Sequence, residues 1–170
     1  SSMRIFILGT GRMGAWLTEE LYLDHEVAVH DADPARMKYF IKVKRFSELE
    51  ELDDFAPELF INCVTLGDTV SSFERVLPHL PKACILSDIA SVKSGIEAFY
   101  ASAGRPFVST HPMFGPTFAS IRDLRDESAV IIEESCEEGK RFFRDLYSRL
   151  GIRIFEKSFE GHDKTVAYSL

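Results

Sequence analysis

The stretch Arg4-Ile5-Phe6-Ile7-Leu8-Gly9-Thr10-Gly11-Arg12-Met13-Gly14 joins a β-rich apolar run to a glycine-rich turn, after which Met13, Trp16, Leu17 and Leu21 recur at helical spacing. Strand, G-x-G-x-x-G turn and helix in that order are the context in which the glycines read as a dinucleotide-binding fingerprint rather than a bare turn. Gly9 permits the tight turn, Gly11 lets backbone approach a pyrophosphate, and Gly14 allows close packing of helix on strand. Thr10, Arg12 and Met13 complete the loop, and the amides at the helix N-terminus supply positive potential for phosphates. Glu26–His30 reads as a second strand leading to Asp31, where an acid bonds ribose hydroxyls. Asp31 repels a 2′-phosphate, which favours NAD over NADP. Arg36, one helical turn on, tempers that preference. Val64 and Thr65, at the end of the next central strand, are placed to pass near the cofactor.

Working outward, the chain alternates short apolar runs with helical patterns. Asp33-Pro34 predicts an N-cap and first-turn proline of a helix. Ser47 with Glu50, and Ser135 with Glu138, have capping-box spacing. Leu59–Leu66 and Ala83–Ile89 read as buried strands of a sheet covered on both faces. Asp68 is placed to cap a helix carrying Val70, Phe73, Val76 and Leu77, and Ser91 one carrying Ile96, Phe99, Tyr100 and Ala103. Phe107–Thr110, Ala129–Ile132 and Ile152–Phe155 complete the strands, with Phe142, Phe143, Leu146, Tyr147 and Leu150 as the buried stripe of the intervening helix. The expected fold is α/β: a doubly wound, mostly parallel Rossmann-type sheet with helices on both faces. Residues 1–160 form the dinucleotide-binding domain. Residues 161–170 begin a helix whose apolar Val166, Ala167, Tyr168 and Leu170 call for a partner domain that lies outside this chain.

At 170 residues the chain is long enough for a real core. Its net charge of −7 argues against a general nucleic-acid or anionic-membrane surface. Ile5–Leu8 is too short for a signal sequence or membrane span. Cys63, Cys84 and Cys136 lack paired metal spacing, and Cys63 and Cys84 read as buried structural thiols. These features fit the cytoplasm, with no metal.

The chemical signal is Ser109-Thr110-His111-Pro112-Met113-Phe114-Gly115-Pro116. Pro112, Gly115 and Pro116 forbid a helix or a central strand, so His111 is expected on an exposed turn just past a strand end, where ligands of open parallel sheets sit. Asp88-Ile89-Ala90-Ser91-Val92-Lys93 lies at another strand end on the same side. With the glycine-rich loop, these two segments resemble the prephenate/arogenate dehydrogenase family, in which D-x-x-S-V-K and H-P-M-(F/A)-G-P follow the fingerprint in this order. His162-Asp163 matches the His-Asp pair that opens the helix leading to that family's second domain. His25, His30 and His79 have no such setting and read as surface or packing residues.

The resemblance implies NAD-dependent oxidative decarboxylation of prephenate or arogenate in tyrosine biosynthesis. Three catalytic residues follow from it: His111 as acceptor of the carbinol proton, Ser91 as hydrogen-bond partner of the reacting hydroxyl and of that histidine, and Lys93 as an attractor of the anionic substrate or an orienting group. It also implies a homodimer formed through a helical C-terminal domain, which supplies a further histidine and an arginine. Thr117 departs from the acid often found after the Gly-Pro pair. Two other readings stand beside this one: another Rossmann-type oxidoreductase of hydroxy acids or imines, and a non-catalytic NAD-binding regulatory module.

Overall fold

The computed structural model describes residues 2–115 and 124–169, so Pro116, Thr117 and Leu170 lie outside the described residues. Two compact units, Ser1–Leu86 and Ser87–Leu170, divide the chain.

In the first unit, β1 (Arg4–Leu8) leads into α1 (Arg12–Leu21), followed by β2 (Glu26–His30), a short β3 (Lys44–Arg45), α2 (Leu52–Phe55), β4 (Leu59–Asn62) and α3 (Thr69–Val76). The strands run parallel in the order β3-β2-β1-β4, with Phe6 opposite Ala28 on one side and Phe60 on the other. Central strands buried on both faces carry apolar residues throughout, and Ile5, Phe6 and Ile7 are fully buried. Phe6 stacks on Phe60 at 5.3 Å, and Phe60 meets Phe73 of α3 edge-on at 5.6 Å. Each such ring pair adds roughly 1 kcal/mol beyond its burial. The next strand, β5 (Ile85–Asp88), begins in this unit, where the Ile85 N–H donates to the Glu58 carbonyl at 3.0 Å.

The second unit holds the end of β5, then α4 (Ile96–Ala103), β6 (Phe107–Pro112), β7 (Ser128–Ile132), α5 (Glu137–Arg149), β8 (Arg153–Lys157) and α6 (Phe159–Ser169). β6 and β7 are antiparallel, whereas β7 and β8 are parallel. α5 lies close on β6: a Cβ on Gly139 would fall 2.6 Å from Cβ of Val108. The fold is α/β, a doubly wound, mostly parallel sheet of Rossmann type. No helix among the described residues is long and apolar enough to cross a membrane.

Several local expectations are corrected. The helix at Asp33 is only a 3-10 turn over Pro34–Met37, although Asp33 does cap it by accepting from the Ala35 N–H. The capping pattern near Ser47 is shifted by one residue, because the Glu51 carboxylate, not Glu50, reaches back to the Ser47 and Glu48 amides at 2.9 and 3.0 Å. The strand expected to reach Leu66 stops at Asn62, and Ala83–Ile89 shortens to Ile85–Asp88. Asp68 sits at the N-cap of α3 but its side chain makes no capping bond. At α5 the cap is Cys136, whose Sγ accepts from the Gly139 N–H, while Ser135 accepts from the Ser109 N–H at 3.0 Å. The last helix begins at Phe159 rather than Gly161, and Cys63 is half-buried.

Candidate functional site

In the first unit, the Gly9 N–H donates to the His30 carbonyl at 2.8 Å, tying the glycine-rich turn to the end of β2. Gly9 has φ +92°, a conformation open to glycine at little cost. A Cβ on Gly14 would lie 1.8 Å from the Gly9 carbonyl oxygen, so only glycine lets α1 start this close to β1. Gly11 is different. Among the described residues a Cβ there would meet only an Arg36 guanidinium nitrogen at 3.6 Å, so they leave the space above Gly11 open. The first intrahelical bond of α1 runs from the Ala15 N–H to the Gly11 carbonyl, and the first turn carries neither a side-chain cap nor an acid. The amides of Arg12, Met13 and Gly14 are thus without helical partners and polarised toward an anion. An open glycine beside an uncapped helix start fits a pyrophosphate.

Asp31 is buried just past β2. One carboxylate oxygen accepts from the Thr10 N–H at 2.7 Å and the Thr10 hydroxyl at 2.9 Å; the other accepts from the Asp33 N–H at 2.8 Å. Burial alone raises its pKa, but the Thr10 and Asp33 amides, the Thr10 hydroxyl and Arg36 together hold it below the usual value. The carboxylate is therefore ionised and fixed in direction. Val64 is half-buried and donates its N–H to Asn62 Oδ1 at 3.3 Å, while Thr65 is exposed. Asn62 was not singled out from the sequence. It is buried, and its amide also donates to the Thr69 carbonyl at 3.0 Å, clamping the turn between β4 and α3. A polar residue closing an apolar strand was the available signal.

The second unit contains a polar cluster built on β5 and β6. Asp88 and Lys93 form an ion pair at 2.6 Å with both side chains wholly out of solvent. Lys93 Nζ also donates to the Thr110 carbonyl at 2.6 Å. The second Asp88 oxygen accepts from the Tyr100 hydroxyl at 2.7 Å, and the Ala90 N–H donates to the first at 3.0 Å. Burial raises the Tyr100 pKa, with Asp88 adding to it, so the phenol stays protonated. Burial lowers the Lys93 pKa against the opposing pull of Asp88. Lys93 is an internal strut beneath the residue preceding His111, not a surface cation.

His111 is not on an exposed turn. It is half-buried within β6, opposite Val130 of β7, and Pro112 follows it opposite Ala129 as the strand's last residue. Proline is tolerated at that position because the Met113 N–H donates to the Ser128 carbonyl at 2.8 Å, and the alternation of an antiparallel ladder then makes Pro112–Ala129 a pair without hydrogen bonds to β7. Nδ1 of His111 lies 2.9 Å from Nε2 of His162, with the two rings nearly perpendicular. α6 brings His162 there because its first turn is anchored: the Phe159 N–H donates to the Glu134 carboxylate at 3.2 Å and Ser158 caps the Gly161 N–H at 2.9 Å. The Phe159 ring then faces Phe107, which stacks on Tyr100 at 4.2 Å. Ser91 is exposed and α4 starts at Ile96 behind Gly95, so Ser91 does not cap that helix. Among the described residues no hydrogen bond joins Ser91 to His111.

Burial first, then Lys93 and His162, lower the His111 pKa to about 4, against a smaller opposing pull from Asp88. His111 is therefore neutral throughout the physiological range. Between pH 4 and 6.5 the unfolded chain binds a proton that folded His111 refuses, so stability falls as pH drops through that window. Discounted for partial solvent screening, wild type should lose roughly 1–2 kcal/mol more than His111→Gln between pH 7 and pH 5. Urea unfolding at the two pH values measures this, and equal losses would contradict a ring buried neutral.

Comparison with known proteins bears on both units. Residues 19–151 match the family described as prephenate dehydrogenase, nucleotide-binding domain. Arogenate dehydrogenase 1, chloroplastic, of Arabidopsis thaliana is 27% identical over 178 residues, covering 96% of this chain and 27% of its own length. Among solved structures, Synechocystis arogenate dehydrogenase superposes with TM-score 0.81 at 20% identity, over 98% of this chain and 64% of that one. Prephenate dehydrogenase from A. aeolicus, in complex with hydroxyphenyl propionate and NAD+, gives TM-score 0.83 at 15% identity over 97% and 63%. The chain thus spans about a quarter of the Arabidopsis relative's length and just under two thirds of each of these two solved chains. With its match extending over most of its length, the chain belongs to the prephenate dehydrogenase nucleotide-binding domain family.

Proposed function

We propose that this chain is the cofactor-binding part of an NAD-dependent dehydrogenase that oxidatively decarboxylates prephenate or arogenate, with His111 as the base. The observation that carries the reading is a histidine held neutral in the H-P-M-F-G segment of a family whose named members are such dehydrogenases. The uncapped start of α1, open Gly11 and ionised Asp31 support binding of the pyrophosphate and ribose. Asp31 favours NAD over NADP, although Arg36 stands close enough to Gly11 and Asp31 to offset part of that preference. NAD, when bound, supplies the hydride acceptor.

The remaining chemistry falls to side chains. As hydride leaves the ring carbinol carbon, the hydroxyl proton passes to the free ring nitrogen of neutral His111. The ring carboxylate departs as carbon dioxide, and its bonding pair aromatises the ring. The proton then returns from His111 to the phenolate oxygen, so the imidazole ends as it began. Lys93 holds β5 against β6 through Asp88 and the Thr110 carbonyl and serves as a positioning residue. Ser91, exposed at its strand end, remains the candidate partner of the substrate hydroxyl. A homodimer through a following helical domain belongs to the same reading. The test is NADH formation by the full-length protein with prephenate and arogenate side by side. NADH should form with at least one of them; none with either would overturn the assignment.

A further inference from the structure

We propose that His162 is a positioning residue that holds His111 in the tautomer protonated at Nδ1, leaving Nε2 of His111 as the free base. The inference rests on the reading of His111 as base, and its geometry is independent of any substrate.

Two ring nitrogens 2.9 Å apart require one proton between them, since two would collide and none would set lone pair against lone pair. With both rings neutral, there are two ways to place it. If His162 donates from Nε2, its own Nδ1 is a bare lone pair. That atom is buried, has no hydrogen-bond partner among the described residues, and faces the Asp163 carboxylate at 3.5 Å. A lone pair is then both unsatisfied and directed at an anion, and each costs free energy. If His111 donates from Nδ1, His162 carries its proton on Nδ1, and that N–H points its positive end toward Asp163. The second arrangement removes both penalties.

Burial and the charges around the pair keep it neutral. Lys93, reaching in from the segment after β5, opposes protonation of both rings, and Lys157 of β8 also opposes that of His162. Asp88 favours a charged His111 and Asp163 a charged His162, but burial outweighs both. When Nε2 of His111 accepts a proton, the Nδ1–H bond to His162 shortens and strengthens, and Asp163 stabilises the charge through the second ring. The device resembles the carboxylate that orients a histidine in hydrolases, with one more imidazole interposed.

NMR of the protein carrying nitrogen-labelled histidine reads the tautomer directly from long-range couplings within each ring. Both His111 and His162 should show the Nδ1-protonated pattern. In His162→Ala, His111 should shift mainly to the Nε2-protonated form. His162→Gln, whose amide oxygen can accept where Nε2 did, should restore Nδ1 protonation. In the full-length enzyme, His162→Ala should lower kcat at least tenfold with little change in KM, and His162→Gln should recover much of it. Nε2 protonation of wild-type His111, or an unchanged tautomer in His162→Ala, would overturn the proposal. Because the wild-type spectrum decides by itself, misfolding of a variant leaves the test intact. Absence of NADH formation with the predicted tautomer present would count against the substrate reading alone.

Discussion

Replacing Lys93 with methionine should lower the unfolding free energy by about 3–5 kcal/mol, the range for removing one partner of a buried ion pair. Methionine nearly fills the volume, so the loss isolates charge from packing. Asp88 keeps the Tyr100 hydroxyl and the Ala90 N–H, two neutral donors, against a carboxylate wholly out of solvent. Those donors do not compensate a full buried charge. The double variant Asp88→Asn/Lys93→Met should be less destabilised than Lys93→Met, because it leaves no orphaned ion. Urea unfolding of the three proteins measures the difference. A loss under about 1 kcal/mol for Lys93→Met would show that the pair is not desolvated in solution. The same substitution removes a cation that depresses His111, so the ring should titrate higher than about 4 in any folded Lys93→Met protein.

How far these features can be read from sequence depends on the range of the interaction that fixes them. The turn from β1 into α1 is local: each glycine answers a constraint from within a few residues or from an adjacent strand, and the spacing alone reports it. The caps were near misses for a local reason. Several acids and hydroxyls crowd each helix start, and backbone direction decides which reaches an amide, as Glu51 does at Ser47 and Glu48. His111 reads as a turn residue because the prolines and glycine after it are local signals, whereas its strand is fixed by β7, which pairs with Thr110, His111 and Pro112. The resemblance offers Lys93 as an attractor of substrate or an orienting group, but its burial and the pairing of His162 with His111 are out of reach of the sequence. Asp88 and Lys93 stand five residues apart in a quoted motif, but nothing in the spacing shows that both are buried. His162 is 51 residues from His111, and the anchoring of the first turn of α6 by Glu134 and Ser158, with the Phe159 ring against Phe107, brings the rings together.

Removing the imidazole, as in His111→Ala, should lower turnover of the full-length enzyme by about 10²- to 10⁴-fold, the usual worth of a positioned general base. NAD affinity should stay within a factor of about two, because the groups read as holding the pyrophosphate and ribose are the amides at the start of α1 and the Asp31 carboxylate, none of which bonds to the imidazole. The split between kcat and cofactor binding separates loss of a proton acceptor from general damage to the fold. Chemical rescue sharpens the distinction. Alanine leaves a space shaped by an imidazole, so added imidazole should restore part of the rate in proportion to its unprotonated form. Rescue following the protonated form would make His111 an acid in the slow step. Near-normal turnover in His111→Ala would remove it from the chemistry altogether. A base with a pKa near 4 is a weak acceptor, and its neutrality comes first from burial and next from Lys93. Binding of an anionic substrate next to the ring would offset part of the Lys93 effect, raising the pKa toward neutrality when a proton has to be taken. The pH dependence of kcat, set by the bound complex, should therefore show a higher apparent pKa than that of kcat/KM, set by the free enzyme.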